Sequence, residues 1–422
     1  MVIAVWYERG VGSRSKWAGY FESMNDREHL PVFWSVDELA ALEGTEVGDI
    51  AADVQDIVDD YEDHVVPLMR KYEEVFRNMS EDGRGLEAFK SAASLVASRA
   101  FAVDAEHGDG MVPLADAFNH KVAVVQLNEE WGINGAEDDT DDGGEDDEHD
   151  DHESLPPSPS PKRPRTAAYP AVQEDCLELC GMRHANGLDL RLQIAIIDDE
   201  EGGCLQIVAA GDVERGNEVF NCYGELSNDV LLKKYGFCVP ENPWAHVTLD
   251  KRLVVECLWD CAGGKPVNRR HPLRSLHDKI VDQTSLLDED DEPFMVHSNG
   301  HVNVALFAFL RMVIEGASQA GTEREAGRET DGLKEGDILD NPQIVEAMND
   351  GTPVAVDEAL RPSGDDPRWS DKCREALRRA CAARSKVLER DGGDDSSRGG
   401  PDAAQCLRSS ELRLIRCLET KL

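Results

Sequence analysis

The sequence predicts an α+β protein: a β-rich middle held between helical flanks. Three observations predict it. Apolar residues recur at helical spacing through the first 100 residues. Short β-prone runs dominate from 190 to 223. After about residue 250, apolar and amphipathic runs of helical length return.

In the first region Ile50, Val54, Ile57, Val58, Tyr61 and Val65 share one helical face, and Leu86, Phe89, Ala93 and Val96 share another. Such stripes are core faces before they are ligand sites. Gly10-Val11-Gly12 reads as a loop. Beyond Trp131 the composition shifts. Residues 134–153 are almost wholly Asp, Glu, Gly and His, and 155–165 is rich in proline. Like charges repel there and nothing apolar is available to bury, so 134–168 reads as a disordered insert. Lys162, Arg163 and Arg165 read either as a nuclear-import address or as part of a polar linker. Next, 190–197 and 205–209 read as strands, and Gly216-Asn217 as a hairpin turn into a third strand over 218–223. The runs 304–314, 373–388 and 411–422 read as helices, with loops near 316–337 and 390–403.

The chain carries 85 acidic against 44 basic residues, a net charge of −41. Affinity for nucleic acid comes mainly from neutralising phosphates, so direct nucleic-acid and anionic-membrane binding are excluded. A basic protein partner fits the charge, as does simple solubility. Eleven cysteines are scattered along the chain. No secretory signal opens it, and no run approaches the roughly 20 apolar residues of a membrane span. The thiols therefore read as reduced and the compartment as nuclear or cytoplasmic.

Three segments carry the chemistry. They are Ser98-Arg99-Ala100-Phe101, then Pro113-Leu114-Ala115-Asp116-Ala117-Phe118-Asn119-His120, then Glu218-Val219-Phe220-Asn221-Cys222-Tyr223-Gly224. The last continues through Ser227-Asn228, Leu231-Leu232 and Tyr235-Gly236-Phe237 to Asn242-Pro243.

This ordered set resembles the SET-domain methyltransferases that modify the Rubisco large subunit, ribosomal proteins and other non-histone proteins. That family carries an Arg before an aromatic, a P-x-A-D-x-x-N-H segment, and E-[VIL]-x-x-x-Y-G leading to S-N-x-x-L-L-x-x-Y-G-F. The match covers roughly 1–131 and 169–250. Ser15–Tyr20, Leu30–Trp34 and Leu42–Thr45 look like the start of the helical insertion that this family places inside its SET domain.

The resemblance implies a protein-lysine N-methyltransferase that uses S-adenosylmethionine on a basic, ribosomal or histone-like protein, as a monomer. Lysine in water has a pKa near 10.4, so its nucleophilic form is scarce at neutral pH. Such an enzyme must desolvate the amine and align nitrogen, methyl and sulfur. Tyr223, placed at the end of a predicted strand, is the catalytic candidate, or else a core tyrosine with a satisfied hydroxyl. Asn119 and His120 match the cofactor-binding pair, and Tyr235 the second tyrosine that encloses the cofactor. A satisfied structural histidine is the alternative for His120, and Tyr235 could equally be core. Arg99 matches a cofactor contact, since a guanidinium grips a carboxylate in two-pronged fashion, or forms an ion pair. Asp116 and Ser98 are substrate-side candidates, or a turn cap in the case of Asp116.

The resemblance lays the chain out as a helical insertion over 1–97, a SET core over 98–249 interrupted at 134–168, and a helical substrate-binding lobe over 250–422. The family's opening strands have no counterpart here, so the sequence is expected to be an incomplete chain or a protein that binds cofactor poorly. Two rival readings follow: a SET-like binding module for basic proteins, and a protein-histidine methyltransferase. Cys176, Cys180 and His184, and Cys257 with Cys261, lack the spacing of zinc knuckles, so no metal is expected.

Overall fold

The structure is a computed structural model. It describes residues 1–79, 81–104, 107–122, 194–199, 204–209, 213–263, 293–298, 300–325, 353–363, 367–390 and 402–422. The insert expected at 134–168, with Lys162, Arg163 and Arg165, and the Cys176–Cys180–His184 group lie outside the described residues. The chain divides into two compact units. One takes Met1–Ala100 and Glu225–Leu422, and the other takes the described residues between Phe101 and Gly224.

The first unit opens with helices α1 (Val2–Gly10), α2 (Ala18–Glu22), α3 (Val36–Ala40) and α4 (Ile50–Asp60). A π-helical turn, Tyr61–Val65, leads into α5 (Val66–Lys71) and α6 (Glu73–Phe76), followed by α7 (Leu86–Arg99). Local chemistry sets these boundaries. Ser35 and Glu38 form a reciprocal capping box at the start of α3, and the Asp49 side chain caps α4 by accepting from the Ala52 amide at 3.1 Å. Trp6 is the anchor between α1 and α7. It meets Phe76 at 5.6 Å and the edge of Phe89 at 6.3 Å. The buried stripe of α7 is Phe89, Ala92, Ser94 and Leu95, rotated slightly from the stripe read in the sequence.

The second unit contains β1 (Phe101–Asp104) paired antiparallel with β2 (Gly108–Gly110), and β3 (Ile194–Asp199) paired antiparallel with β4 (Cys204–Ala209). Gly216 does sit in a turn, with φ of 94° and an Asn217 amide bonded to the Glu214 carbonyl at 3.1 Å. It opens no hairpin. The expected third strand at 218–223 is replaced by irregular chain that makes one isolated parallel bridge, His120↔Asn221. The next amide on the same edge, that of Tyr223 two residues on, is taken by a side chain and not by a strand partner, so a ladder cannot propagate.

The first unit resumes with α8 (Asn228–Tyr235), β5 (His246–Leu249) and α9 (Lys251–Cys261). Then come β6 (Phe294–His297), β7 (His301–Val302), α10 (Val304–Glu325), β8 (Val354–Ala355), α11 (Val356–Ala359), α12 (Arg368–Arg390) and α13 (Asp402–Lys421). Strands β5-β6-β7-β8 form one antiparallel sheet. Its buried Val247, Leu249, Phe294 and Val296 join Leu306, Phe309 and Val313 of α10, Leu377 of α12 and Ile415 of α13 in one core. The loop expected near 316–337 is helical over its described part, because α10 continues to Glu325, and α13 begins at Asp402, inside the loop expected at 390–403. Gly10 is also helical, at the end of α1, and Gly12 opens a short 3-10 turn.

Candidate functional site

In the second unit the chain from Met111 to Val122 is mostly irregular, with one 3-10 turn at Ala115–Ala117. Leu114 there has φ of 77° and is 77% exposed. A γ-branched residue at positive φ is strained. Asp116 lies in this turn, and its amide bonds the Val112 carbonyl at 3.2 Å. The following residues, Asn119–Lys121, meet the third motif segment. The Asn221 amide donates to the Asn119 carbonyl at 2.9 Å, and the Lys121 amide donates to the Asn221 carbonyl at 2.8 Å. Two segments far apart in sequence are thereby held side by side.

Side chains reinforce the pairing. His120 Nδ1 accepts from the Tyr223 amide at 3.0 Å, and the two rings lie 5.0 Å apart. The Tyr223 hydroxyl donates to the Phe118 carbonyl at 2.7 Å. Asn119 Nδ2 donates to Glu218 Oε1 at 2.6 Å. Burial pushes the His120 pKa down to about 4, so the ring is neutral at pH 7. With Nδ1 accepting, the proton of the neutral ring is assigned to Nε2. Half-buried Tyr223 is thus fixed at both its amide and its hydroxyl.

The remaining sequence-predicted residues, Ser98, Arg99 and Tyr235, fall in the first unit. Arg99 Nε meets Glu28 Oε1 at 3.0 Å, with both side chains mostly buried. This is the ion-pair arrangement that the sequence left open for Arg99. The Ser98 hydroxyl donates to the Lys234 carbonyl. Tyr235 lies beside Phe237, ring centres 6.2 Å apart, and burial raises its pKa. Gly236 ends α8 with φ of 80°, and a Cβ there would lie 2.7 Å from the His29 carbonyl oxygen. The chain around Glu28–His29 therefore passes close to both Arg99 and the end of α8. Asn228 is buried and braces the same region: its Nδ2 donates to the Val239 carbonyl at 3.0 Å, and its Oδ1 accepts the Val239 amide at 3.0 Å.

Sequence reasoning missed Glu28, Phe118 and Glu218 as partners. Glu218 stood inside a recognised motif and could have been found there. Glu28 carried no signal, because its partner lies 71 residues away. Among the described residues no group of three or more His, Cys, Asp or Glu is arranged to hold a metal ion, and Cys257 and Cys261 sit one turn apart on α9. No described helix is long and apolar enough to cross a membrane.

No family model matches the chain. Ribosomal lysine N-methyltransferase 3 of Saccharomyces cerevisiae is 32% identical over 282 residues, 58% of this chain and 50% of that protein. N-lysine methyltransferase setd6 of Xenopus laevis is 26% identical over 258 residues, 60% of this chain and 43% of its own length. Human SETD6 is 23% identical over 270 residues, 61% and 41%. The chain thus spans about half the length of the curated relatives it matches. A solved structure of Rubisco LSMT bound to sinefungin and monomethyllysine superposes with a TM-score of 0.50 at 16% identity, covering 100% of this chain and 73% of that one. In fold, then, this α+β chain is similar to Rubisco LSMT, and in sequence it is similar to ribosomal and SETD6 lysine methyltransferases.

Proposed function

We propose that the chain transfers methyl groups from S-adenosylmethionine to lysine side chains of a protein. One observation carries this reading: the Asn119–Lys121 stretch is hydrogen-bonded alongside Asn221–Tyr223, so both motif segments of the resemblance meet at one place. S-adenosylmethionine would supply the methyl on a positively charged sulfur. A protonated imidazole beside that charge would oppose binding. His120 is neutral at pH 7, so the pair of motifs fits a cationic ligand. The proton of the Tyr223 hydroxyl is committed to the Phe118 carbonyl. Tyr223 would therefore orient the amine and accept weak C–H contacts from the methyl, and would not act as a general base. Asn119 and His120 as cofactor residues rest on the resemblance, supported by the pairing of their segment with the Tyr223 segment. Arg99 and Tyr235 as cofactor residues, and Asp116 and Ser98 as substrate residues, rest on the resemblance alone.

The substrate class follows from charge. A chain at −41 attracts lysine-rich protein and repels nucleic acid and anionic lipid. A basic substrate such as a ribosomal or histone-like protein, a monomeric state, and residence in nucleus or cytoplasm complete the proposal.

The test is methyl incorporation. The full chain is incubated with S-adenosylmethionine labelled in its methyl group and a basic ribosomal-protein fraction, and modified residues are mapped by mass spectrometry. Label on lysine is expected. Tyr223→Phe is expected to lower turnover on the order of 100-fold through lost alignment, with cofactor affinity nearly kept. Unchanged turnover in that variant removes Tyr223 from its role. Cofactor binding without any protein methylation removes the catalytic reading altogether.

A further inference from the structure

Outside these motifs, the sheet of the first unit carries three histidines in one cross-strand row. The β5–β6 ladder pairs His246 with His297 at its end. Val296 pairs with Val302 across the β6–β7 hairpin, which sets His301 opposite His297. The Gly300 amide donates to the His297 carbonyl at 2.8 Å, and Gly300 takes φ of 70°, so a tight turn holds that register. Directly opposite residues of an antiparallel pair put their side chains on one face. Val247, Leu249, Phe294, Val296 and Val302 fill the core face. The three histidines therefore stand on the other face, each of them half-buried.

The His246–His297 end of the row is closely held. The Ser298 hydroxyl donates to the Pro243 carbonyl, which ties the turn after β6 to the chain entering β5. The His246 and His297 rings lie 6.2 Å apart and are tilted by 54°. Two imidazoles on one zinc ion, with Zn–N bonds of about 2.0–2.1 Å, have ring centres about 5–6 Å apart, so small side-chain rotations bring both rings onto a common ion. His297 Nε2 is buried and has no hydrogen-bond partner. A polar atom in that condition calls for an ion or a water. Burial, and then His246 and His301, hold the His297 pKa down to about 4. Its ring is thus neutral at pH 7 and offers a lone pair without first releasing a proton. Lys421 acts against a cation at the other end of the row. Its side chain lies against Gly300, and after burial it is the next cause that lowers the His301 pKa. Among the described residues no third His, Cys, Asp or Glu completes a metal cluster with the pair.

We propose that His246 and His297 form a two-histidine site for a divalent ion of the zinc class, with water in its remaining positions, and that the ion staples the end of the β5–β6 ladder. Imidazole nitrogen suits zinc and its transition-metal neighbours, whereas magnesium takes oxygen ligands. A net charge of −41 attracts any cation, so magnesium separates that general attraction from imidazole ligation. The assignment does not rest on the methyltransferase reading and holds whether or not that reading survives.

The experiment strips the full chain with a chelator, dialyses it, and titrates it calorimetrically with zinc chloride and, separately, with magnesium chloride. A step of one zinc per chain is expected. It should be at least about tenfold weaker in His246→Ala, since even outer partners of metal ligands are worth that much. It should be unchanged in His64→Ala, whose exposed ring on the π-helical turn serves as the control. Should His246→Ala fail to fold, diethylpyrocarbonate footprinting of the unaltered chain decides alone: saturating zinc is expected to protect His246 and to leave His64 reactive. The proposal is overturned if no such zinc step appears, or if it is equally strong in His246→Ala. It is equally overturned if zinc leaves the modification of His246 unchanged, or if magnesium protects His246 as well as zinc does.

Discussion

The core of the first unit and the described segment around Tyr223 are held by different means. The first unit buries a continuous apolar core, with Phe294, Leu306, Phe307 and Phe309 all at 2% exposure or less. It also buries charge: Arg408 donates to the carbonyls of Leu388, Ala41 and Glu43, at 2.7, 2.8 and 2.8 Å. Around Tyr223 the means are sparser. Within 107–122 and 213–224, the buried apolar side chains are Ala115 and Val122. A few directional bonds between Phe118–Lys121 and Asn221–Tyr223 fix the geometry there. Bulk burial gives stability without fine placement, whereas a small set of hydrogen bonds gives placement at little cost in area. The region assigned to chemistry is the one built for placement.

Substitutions sharpen this contrast, and the core should show the largest effect. Phe309 packs against Phe294 with ring centres 5.3 Å apart and ring planes tilted by 33°. Phe309→Ala is expected to cost about 3–5 kcal/mol in denaturant unfolding, from lost transfer energy plus the cavity left behind. A loss below about 1 kcal/mol would mean that this core collapses to fill the gap. Arg408→Met should follow, at about 2 kcal/mol. Three main-chain carbonyls lose their donor while the apolar stem is largely preserved. If its stability matches the parent, the clamp between α13 and the 41–43 chain contributes nothing.

His120→Ala breaks the other side of the comparison and should act locally. Removing the Nδ1 acceptor takes away the bond from the Tyr223 amide to His120, a loss of about 1 kcal/mol. Faster hydrogen exchange is expected at Tyr223 and Asn221, with the global midpoint of the first unit nearly unmoved. Exchange that is unchanged would show that the main-chain bridge holds the segment alone. The same histidine sets a pH dependence. Its folded pKa, about 4, lies below the ordinary 6.5. The stabilisation is therefore fully present above pH 6.5 and is lost as pH falls towards 4. Protection at Tyr223 should weaken over that window in the parent and much less in His120→Ala.

The contrast also explains what could be read from the sequence. The 304–314 run and the 373–388 stripe announced α10 and α12, because burial against a core demands apolar periodicity. The 218–223 stretch has β-prone composition, yet its partners are one chain segment and one imidazole, and no strand forms. Composition reports burial and propensity, and it does not report where an amide finds its acceptor. The Asn119-His120 and Tyr223 motifs were legible only as a family pattern. The partners in the Arg99–Glu28 pair and the Arg408 clamp were not legible. These contacts join residues 20 to 367 positions apart in the chain.

The smallest expected change in stability at mildly acid pH is that of Glu411→Gln, and it is informative through its slope. Glu411 is 1% exposed. Its Oε1 accepts the Glu46 amide at 2.9 Å, and its Oε2 lies 3.5 Å from Arg384, which also bonds Glu46 at 2.8 Å. Burial first, and then the nearby Glu46 and Asp229 carboxylates, push its pKa up to about 8 against the opposing pull of the Glu46 amide and Arg384. A folded pKa raised above the ordinary 4.5 gives a contribution that is complete below pH 4.5 and is lost as pH rises through 8. Glutamine keeps the acceptor for the Glu46 amide and cannot ionise. At pH 5 the variant should lie within about 0.5 kcal/mol of the parent, as an isosteric change does when the acid is already neutral. Between pH 5 and 8 the parent should lose stability relative to the variant, so that the two midpoint-against-pH curves diverge with Glu411→Gln above. Parallel curves would mean that Arg384 holds Glu411 ionised in the folded chain, and that this buried cluster is an ion-pair network throughout.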